Sequence, residues 1–335
     1  PRPFAFPADH GSHPAFRTEW WYFTGNLGAG GGRRFGYQLT FFRNALAPRA
    51  PARASRWAAR DLWLAHFAVT DGGGGRFHAF ERFRRGALGL AGARPAPFRV
   101  WLDRWQAAGP AANPAASPFP LVLRAAAGEV ALDLRLARGK PPVLQGEGGL
   151  SRKGAAPGHA SYYYSLTRMP TAGTLRVAGR SFAVRGLSWM DREWSTSSLA
   201  AGQVGWDWFA LQLADGRELM LYRLRLAGGG DDPASSGSLV AADGRKRHLA
   251  RADFTVEELG QWASPAGGSY PARWRLRVPA ARLDLEVRPL VADQEHRGTF
   301  RYWEGAVTAT GASAGAPIAG RGYVELTGYT DKETR

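Results

Sequence analysis

The sequence predicts an all-β protein of antiparallel barrels or sandwiches. Three observations carry this: period-two alternation of apolar residues, turn residues punctuating it at short intervals, and no helical or βαβ spacing. Phe35, Tyr37, Leu39 and Phe41 share one strand face. Leu62, Leu64, His66 and Ala68 share another, and Val130, Leu132, Leu134 and Leu136 alternate with Ala131, Asp133 and Arg135. Each pattern is that of a half-buried strand. Between and beyond them lie Gly28 to Gly32, Asp71 to Gly75, Gly128, Ala178-Gly179, Asp215-Gly216 and Asp243-Gly244, residue types that hairpin turns need. The Ala/Pro-rich stretch from Pro95 to Pro120 reads as a loop or short helix, and Gly228 to Gly237 as a flexible hairpin tip.

A chain of 335 residues is about twice the usual domain size. Trp-rich strands open both halves, so the simplest partition is two domains, 1–195 and 196–335. No apolar run approaches the roughly 18 residues that span a bilayer. Pro1 in first place, with no charged and apolar leader after it, reads as a processed or trimmed chain. The absence of cysteine excludes disulfides, thiolate nucleophiles and cysteine-based metal sites. A net charge of +16 invites a polyanionic partner. Lysine, however, occurs only at Lys140, Lys153, Lys246 and Lys332, the arginines are scattered, and no nucleic-acid recognition motif is present. Nucleic acid is therefore not an expected partner, whereas attraction to anionic lipid headgroups stays open.

Tryptophan is rare in proteins, and here it repeatedly adjoins a carboxylate: Thr18-Glu19-Trp20-Trp21-Tyr22, Ser188-Trp189-Met190-Asp191-Arg192-Glu193-Trp194, Gly205-Trp206-Asp207-Trp208-Phe209 and Tyr302-Trp303-Glu304-Gly305. Together with Tyr162-Tyr163-Tyr164-Ser165, these segments resemble the carotenoid 1,2-hydratase/AttH-like family nearly end to end. The resemblance implies two consecutive lipocalin-like (calycin) antiparallel β-barrels and a periplasmic or secreted location in the bacterial envelope. It also implies that some members are associated with an ABC transporter.

Hydration of an alkene needs a placed acid, an aromatic surround for the tertiary cation, and a water. By the family pattern Trp206 and Tyr222 match the Trp and Tyr of the hydratase site, while the acid position falls on Leu224. The hairpin register then matters. A two-residue Asp215-Gly216 loop sets Asp207 opposite Leu224, diagonal to Tyr222, as a relocated acid. A three-residue Ala214-Asp215-Gly216 loop with a bulge sets Trp206 and Trp208 opposite Leu224 and Tyr222 and pairs Asp207 with Arg223 across the outer face, leaving an aromatic pocket with no acid. The second is favoured, because it unites Trp206 and Tyr222.

In an extended strand Trp189, Asp191 and Glu193 share a face, where two nearby carboxyls give one acid and one base. The alternative is that Asp191 and Glu193 pair with arginines and tie the domains together. Glu19 and Glu304 likewise read more simply as partners of backbone or arginine, and Trp20 or Trp21 as the seal of a barrel end. His10 and His13 have metal-like spacing but no third ligand, so neither a metal nor another cofactor is expected. His66 reads as a core histidine or as facing a cavity.

The candidate catalytic residues are Asp207, Tyr222, Asp191 and Glu193. The candidate ligand contacts are Trp206, Trp208, Tyr222, Trp189, Trp21, Trp303 and Glu304. With no acid at Leu224, the leading expectation is an envelope protein that binds or carries a large apolar molecule, a lipid or isoprenoid. A membrane surface or transporter is a further candidate partner. The competing expectation is a hydratase-like enzyme, a hydro-lyase or cyclase, that protonates an isoprenoid or polyene.

Overall fold

The computed structural model describes residues 2–47, 59–110, 117–197 and 199–330. Strands dominate, and the four helical pieces among the described residues are single 3-10 turns. The first sheet has 13 strands: β1 (Thr18–Gly28), β2 (Arg34–Ala45), β3 (Asp61–Asp71), β4 (Arg76–Arg85), β5 (Ala91–Pro95), β6 (Phe98–Leu102), β7 (Trp105–Ala108), β8 (Leu121–Ala127), β9 (Val130–Leu136), β10 (Val143–Leu144), β11 (Leu150–Arg152), β12 (Ala160–Val177) and β13 (Arg180–Ser195). The second has 10: β14 (Gln203–Leu213), β15 (Glu218–Leu226), β16 (Ser236–Val240), β17 (Lys246–Ala250), β18 (Thr255–Ala263), β19 (Ser269–Val278), β20 (Leu283–Pro289), β21 (Glu295–Arg297), β22 (Arg301–Ser313) and β23 (Ala316–Leu326).

The first sheet runs β4-β3-β2-β1-β13-β12-β9-β8-β7-β6-β5, with β10 and β11 beside β12. It curls into a nearly closed barrel, and the second sheet forms a half-barrel. The expectation of two barrels is thus met only in part. In the second sheet β17 and β18 are the two ends and do not pair. The stretch around residue 100 departs from its loop reading. Phe98, Val100 and Leu102 point into the barrel and Trp101 does not, an alternation too short to show among the flanking Ala and Pro. Residues 111–116 of that stretch lie outside the described residues. Beyond the turn at Gly228 to Gly230, Ser236 and Gly237 already belong to β16.

Inside the barrel Trp21, Phe23, Leu39, Phe67 and Trp105 are fully buried among aliphatic side chains, so the interior is a packed core. The N-terminal segment closes one end. Trp21 Nε1 donates to the His10 carbonyl at 2.9 Å, and the Arg192 guanidinium lies 3.8 Å from the Trp21 ring centre. Buried Glu19 bonds Arg43, Arg192 and the His13 backbone. Burial alone would raise its carboxyl, but the charges of Arg192 and Arg43 and the His13 bond hold it at about 2.

Candidate functional site

In a barrel, alternate residues face outward to water, yet here most outward residues of β1, β2 and β3, and those of β13 from Trp189 to Glu193, are buried as well. The second sheet covers them. Tyr22, Tyr163 and Trp189 from the first sheet pack against Trp208, Tyr222 and Tyr323 from the second in one apolar cluster. Trp20 and Trp206 are partly exposed at its edge. All five aromatic motifs contribute alternate residues to this interface, and the intervening residues fill the two separate cores.

Antiparallel pairing of β22 with β23 sets Glu304 directly opposite Glu325. Glu304 is fully buried and Glu325 is partly exposed beside Trp206. Tyr22 Oη donates to Glu304 Oε1 at 2.7 Å, and Trp206 Nε1 donates to Glu325 Oε1 at 2.6 Å. The remaining oxygen, Glu304 Oε2, meets no protein donor among the described residues. An ionised carboxylate would leave that oxygen unsatisfied in a buried place, whereas a protonated one donates to Glu325. Burial first, and then the charge of Glu325, push the Glu304 carboxyl well above the usual carboxylate range; burial also raises Glu325. The two titrate as a coupled pair in which burial favours the protonated form.

A second carboxyl, Asp191, lies across the aromatic cluster. It accepts hydrogen bonds from Tyr163, Ser165 and, at 2.7 Å, Trp189 Nε1. Burial outweighs those bonds and pushes its carboxyl up to about 7. The rings between the two sites touch: Tyr22 and Trp208 are edge-to-face at 5.3 Å, and Trp208 Nε1 donates to Tyr163 Oη at 3.2 Å. Glu193 is bonded by Ser161 and lies 3.3 Å from Lys153 Nζ. That ammonium sits 4.1 Å from the Tyr222 ring centre. Among the described residues, Lys153 is the one cation paired with any of these four carboxyls, so the expected arginine ties at Asp191, Glu193 and Glu304 are not what holds them.

Other candidates fall elsewhere. The favoured hairpin register is the one found: Trp206 opposes Leu224, Trp208 opposes Tyr222 and Asp207 opposes Arg223. Asp207 therefore points away from the aromatic face, into the half-barrel. There it binds Arg223 at 2.7 Å, Arg225 at 3.0 Å and the Tyr329 hydroxyl. It cannot be the acid of this site. Trp21 and Trp303 belong to the two packed cores and line nothing at the interface, because each is one residue out of phase with the outward Tyr22 and Glu304. Tyr222 does face the interface, but its hydroxyl is engaged with the Arg152 carbonyl and Ser151. The reading of the sequence missed Glu325, Tyr22, Tyr163 and Lys153. The one signal for Glu325 was a carboxylate on the same strand parity as Tyr323.

At the β3–β4 flank the interface opens into a cleft of about 600 Å³, lined by His66, Phe77, Glu81, His296 and Phe300 among others. His66 bonds Tyr302 Oη at 2.6 Å and Glu81 at 3.1 Å, and His296 stacks on Tyr302 at 4.7 Å and bonds Gln38. Burial lowers both imidazoles and so favours their neutral form. Tyr302 and Glu304 are alternate residues of β22, roughly 7 Å apart, which puts the cleft one side chain from the carboxyl pair. Among the described residues no group of histidines and carboxylates has metal-binding geometry.

Comparison with known proteins follows the same outline. A model of the AttH-like family matches residues 1–329. A crystal structure of an AttH protein from Nitrosomonas europaea is 33% identical, with 98% of each chain covered and a TM-score of 0.86. A kievitone hydratase from Nectria haematococca shares the fold at 15% identity, covering 98% of this chain and 94% of that one, with a TM-score of 0.74. CghA shares it at 15% identity, covering 100% and 96%, with a TM-score of 0.52. No curated protein sequence matches the chain.

Proposed function

This chain belongs to the AttH-like family, and on that premise we propose that it is an acid–base enzyme of hydro-lyase type, acting on a large apolar alkene at the interface between its two sheets. One observation carries the reading: Glu304, fully buried, and Glu325, half-buried, are paired across adjacent strands with no cation on either among the described residues, an arrangement that favours a shared, transferable proton. A pair kept only for packing would be replaced at lower free-energy cost by apolar residues. The preference for a carrier rested on Leu224 lacking a carboxyl; β22 and β23 supply one from the neighbouring strands instead.

In this reading the pair donates its proton to one alkene carbon, and the positive charge develops on the more substituted carbon. The faces of Trp206, Trp208 and Tyr22 stabilise that cation. Water adds to it, and the proton the water sheds returns to the pair or to Asp191, so alkene and water become a tertiary alcohol. The reverse sequence is dehydration. The cleft beside Tyr302 lies within the size range of ligand pockets, with Phe77 and Phe300 for an apolar body.

The test is incubation with a panel of acyclic isoprenoid alkenes in 18O-labelled water, read by mass spectrometry. Labelled alcohol is expected from the wild type. Glu304→Gln is expected to lose roughly a hundredfold or more in rate while keeping its melting temperature. An unlabelled product pool, with the alkenes bound and recovered unchanged equally by both proteins, would establish a carrier instead.

A further inference from the structure

The charge excess is not evenly spread. On the second sheet several arginines have cross-strand or neighbouring carboxylates, Arg275 with Asp284, Arg277 with Glu257 and Arg288 with Glu286, while Arg247 and Arg321 stand singly on separate strands. The outer wall formed by β8, β9, β12 and β13 differs. Register places Arg135 opposite Ala172, and Ala172 opposite Arg185. Arg185 in turn lies opposite Gly28, which pairs with Arg34 on its other side. Side chains of one register row share a face, so Arg135, Arg185 and Arg34 form a row with about 10 Å between successive members. Arg176 stands on the same face of β12, and Arg124 on that of β8.

Among the described residues, the one exposed carboxylate on this face of the four strands, Asp133, is taken by Arg124; Asp191 and Glu193, farther along β13, are buried under the second sheet. Arg135, Arg176 and Arg185 are exposed and have no acidic partner among the described residues. Between them the wall carries small side chains, Ala131, Ala172, Thr174 and Ala183, so the cations stand clear of a low surface. At the seam with the second sheet Arg34 is half-buried, and its Nη2 has no hydrogen-bond partner. Burial, and then the like charge of Arg321 from β23, pull its guanidinium down.

We propose that this wall is a docking surface for a bilayer of anionic lipids, with Arg135, Arg176 and Arg185 meeting the headgroup phosphates. Like charges set at this spacing with no counter-charge gain nothing within the fold, and a broad phosphate surface matches their extent. Nucleic acid fits less well, because the wall offers no element to enter a groove and no ring on which to stack a base. This inference is independent of the reaction, since the wall touches neither the carboxyl pair nor the cleft.

Flotation with vesicles of phosphatidylcholine, alone and with one third phosphatidylglycerol, tests it. The wild type is expected to bind only the anionic vesicles, with binding that falls as salt is raised. The triple variant Arg135→Gln, Arg176→Gln, Arg185→Gln is expected to bind about a hundredfold more weakly, at about fivefold per arginine. A control, Arg273→Gln, Arg275→Gln, Arg288→Gln, removes the same charge from the second sheet and is expected to stay within severalfold of the wild type. Equal loss in the control would reduce the effect to net charge and overturn the proposal. Undiminished binding by the wall variant would do the same. So would inorganic phosphate displacing the vesicles at constant ionic strength, which would indicate a discrete anion site.

Discussion

A carboxyl group taken out of water without a cation keeps its proton, and that fixes how stability must change with pH. Asp191 ionises near 3.8 in an unfolded chain and at about 7 in the fold. Because the folded value is the higher one, its contribution is fully present below pH ~4, declines as the pH rises, and is gone above ~7, a change of at most about 4 kcal/mol. Urea unfolding of Asp191→Asn across this range is expected to give a visibly shallower decline than the wild type. Identical curves would mean that Asp191 is ionised in the fold. At this scale the sequence was informative about which residue types were unusual: Asp191 and Glu304 stood out by lying in Trp-containing segments. Glu325 did not, lying between Val324 and Leu326 in an ordinary alternating strand. Its significance comes from the strand laid beside it.

Alternation along a strand assigns residues to faces, and pairing decides what each face meets. The hairpin of β14 and β15 illustrates both. Its bulged register was legible, because it alone puts Trp206, Trp208 and Tyr222 on one side. The same register sends Asp207 to the opposite side with Arg223 and Arg225, where it serves folding. Asp207→Asn is therefore expected to lower stability by about 2–4 kcal/mol, since it leaves two arginines without their carboxylate, while the rate on the isoprenoid panel stays within severalfold of the wild type. Denaturant titration and the 18O assay on one preparation check both halves. Loss of turnover at unchanged stability would return Asp207 to the catalytic set. The strand over Phe98 to Leu102 was not legible, because five residues among Ala and Pro carry too few periods to distinguish a strand from a loop.

The two sheets dock outer face to outer face, and Gly36 shows how closely. A β-carbon there would lie 2.4 Å from Ala306 Cβ and 2.7 Å from Tyr323 Oη, across the interface from β2. Gly36→Ala is expected to cost about 1–3 kcal/mol by overpacking and to speed amide exchange in β2 and β23. It is also expected to lower the upper pH limit of activity, because water admitted beside Glu304 lets that carboxyl ionise more readily. Exchange confined to the loops, with an unmoved pH profile, would mean that the sheets accommodate the methyl without separating.

The sequence by itself determined that the chain is all-β, which residues alternate together, and which segments join tryptophan to carboxylates, because those properties are local: strand period, turn chemistry and residue type. Only the tertiary structure decided that the buried carboxyls of those segments gather on the outside of a barrel. Tyr22, Asp191 and His66 all lie on the outer face of the barrel strands, His66 there rather than in the core its apolar alternation implied, and the second sheet removes their water. Burial by a distant element sets the proton affinity of Glu304 and Asp191. No pattern within either strand records it, and that is why a sequence reading centred on Leu224 passes over the carboxyl pair on β22 and β23.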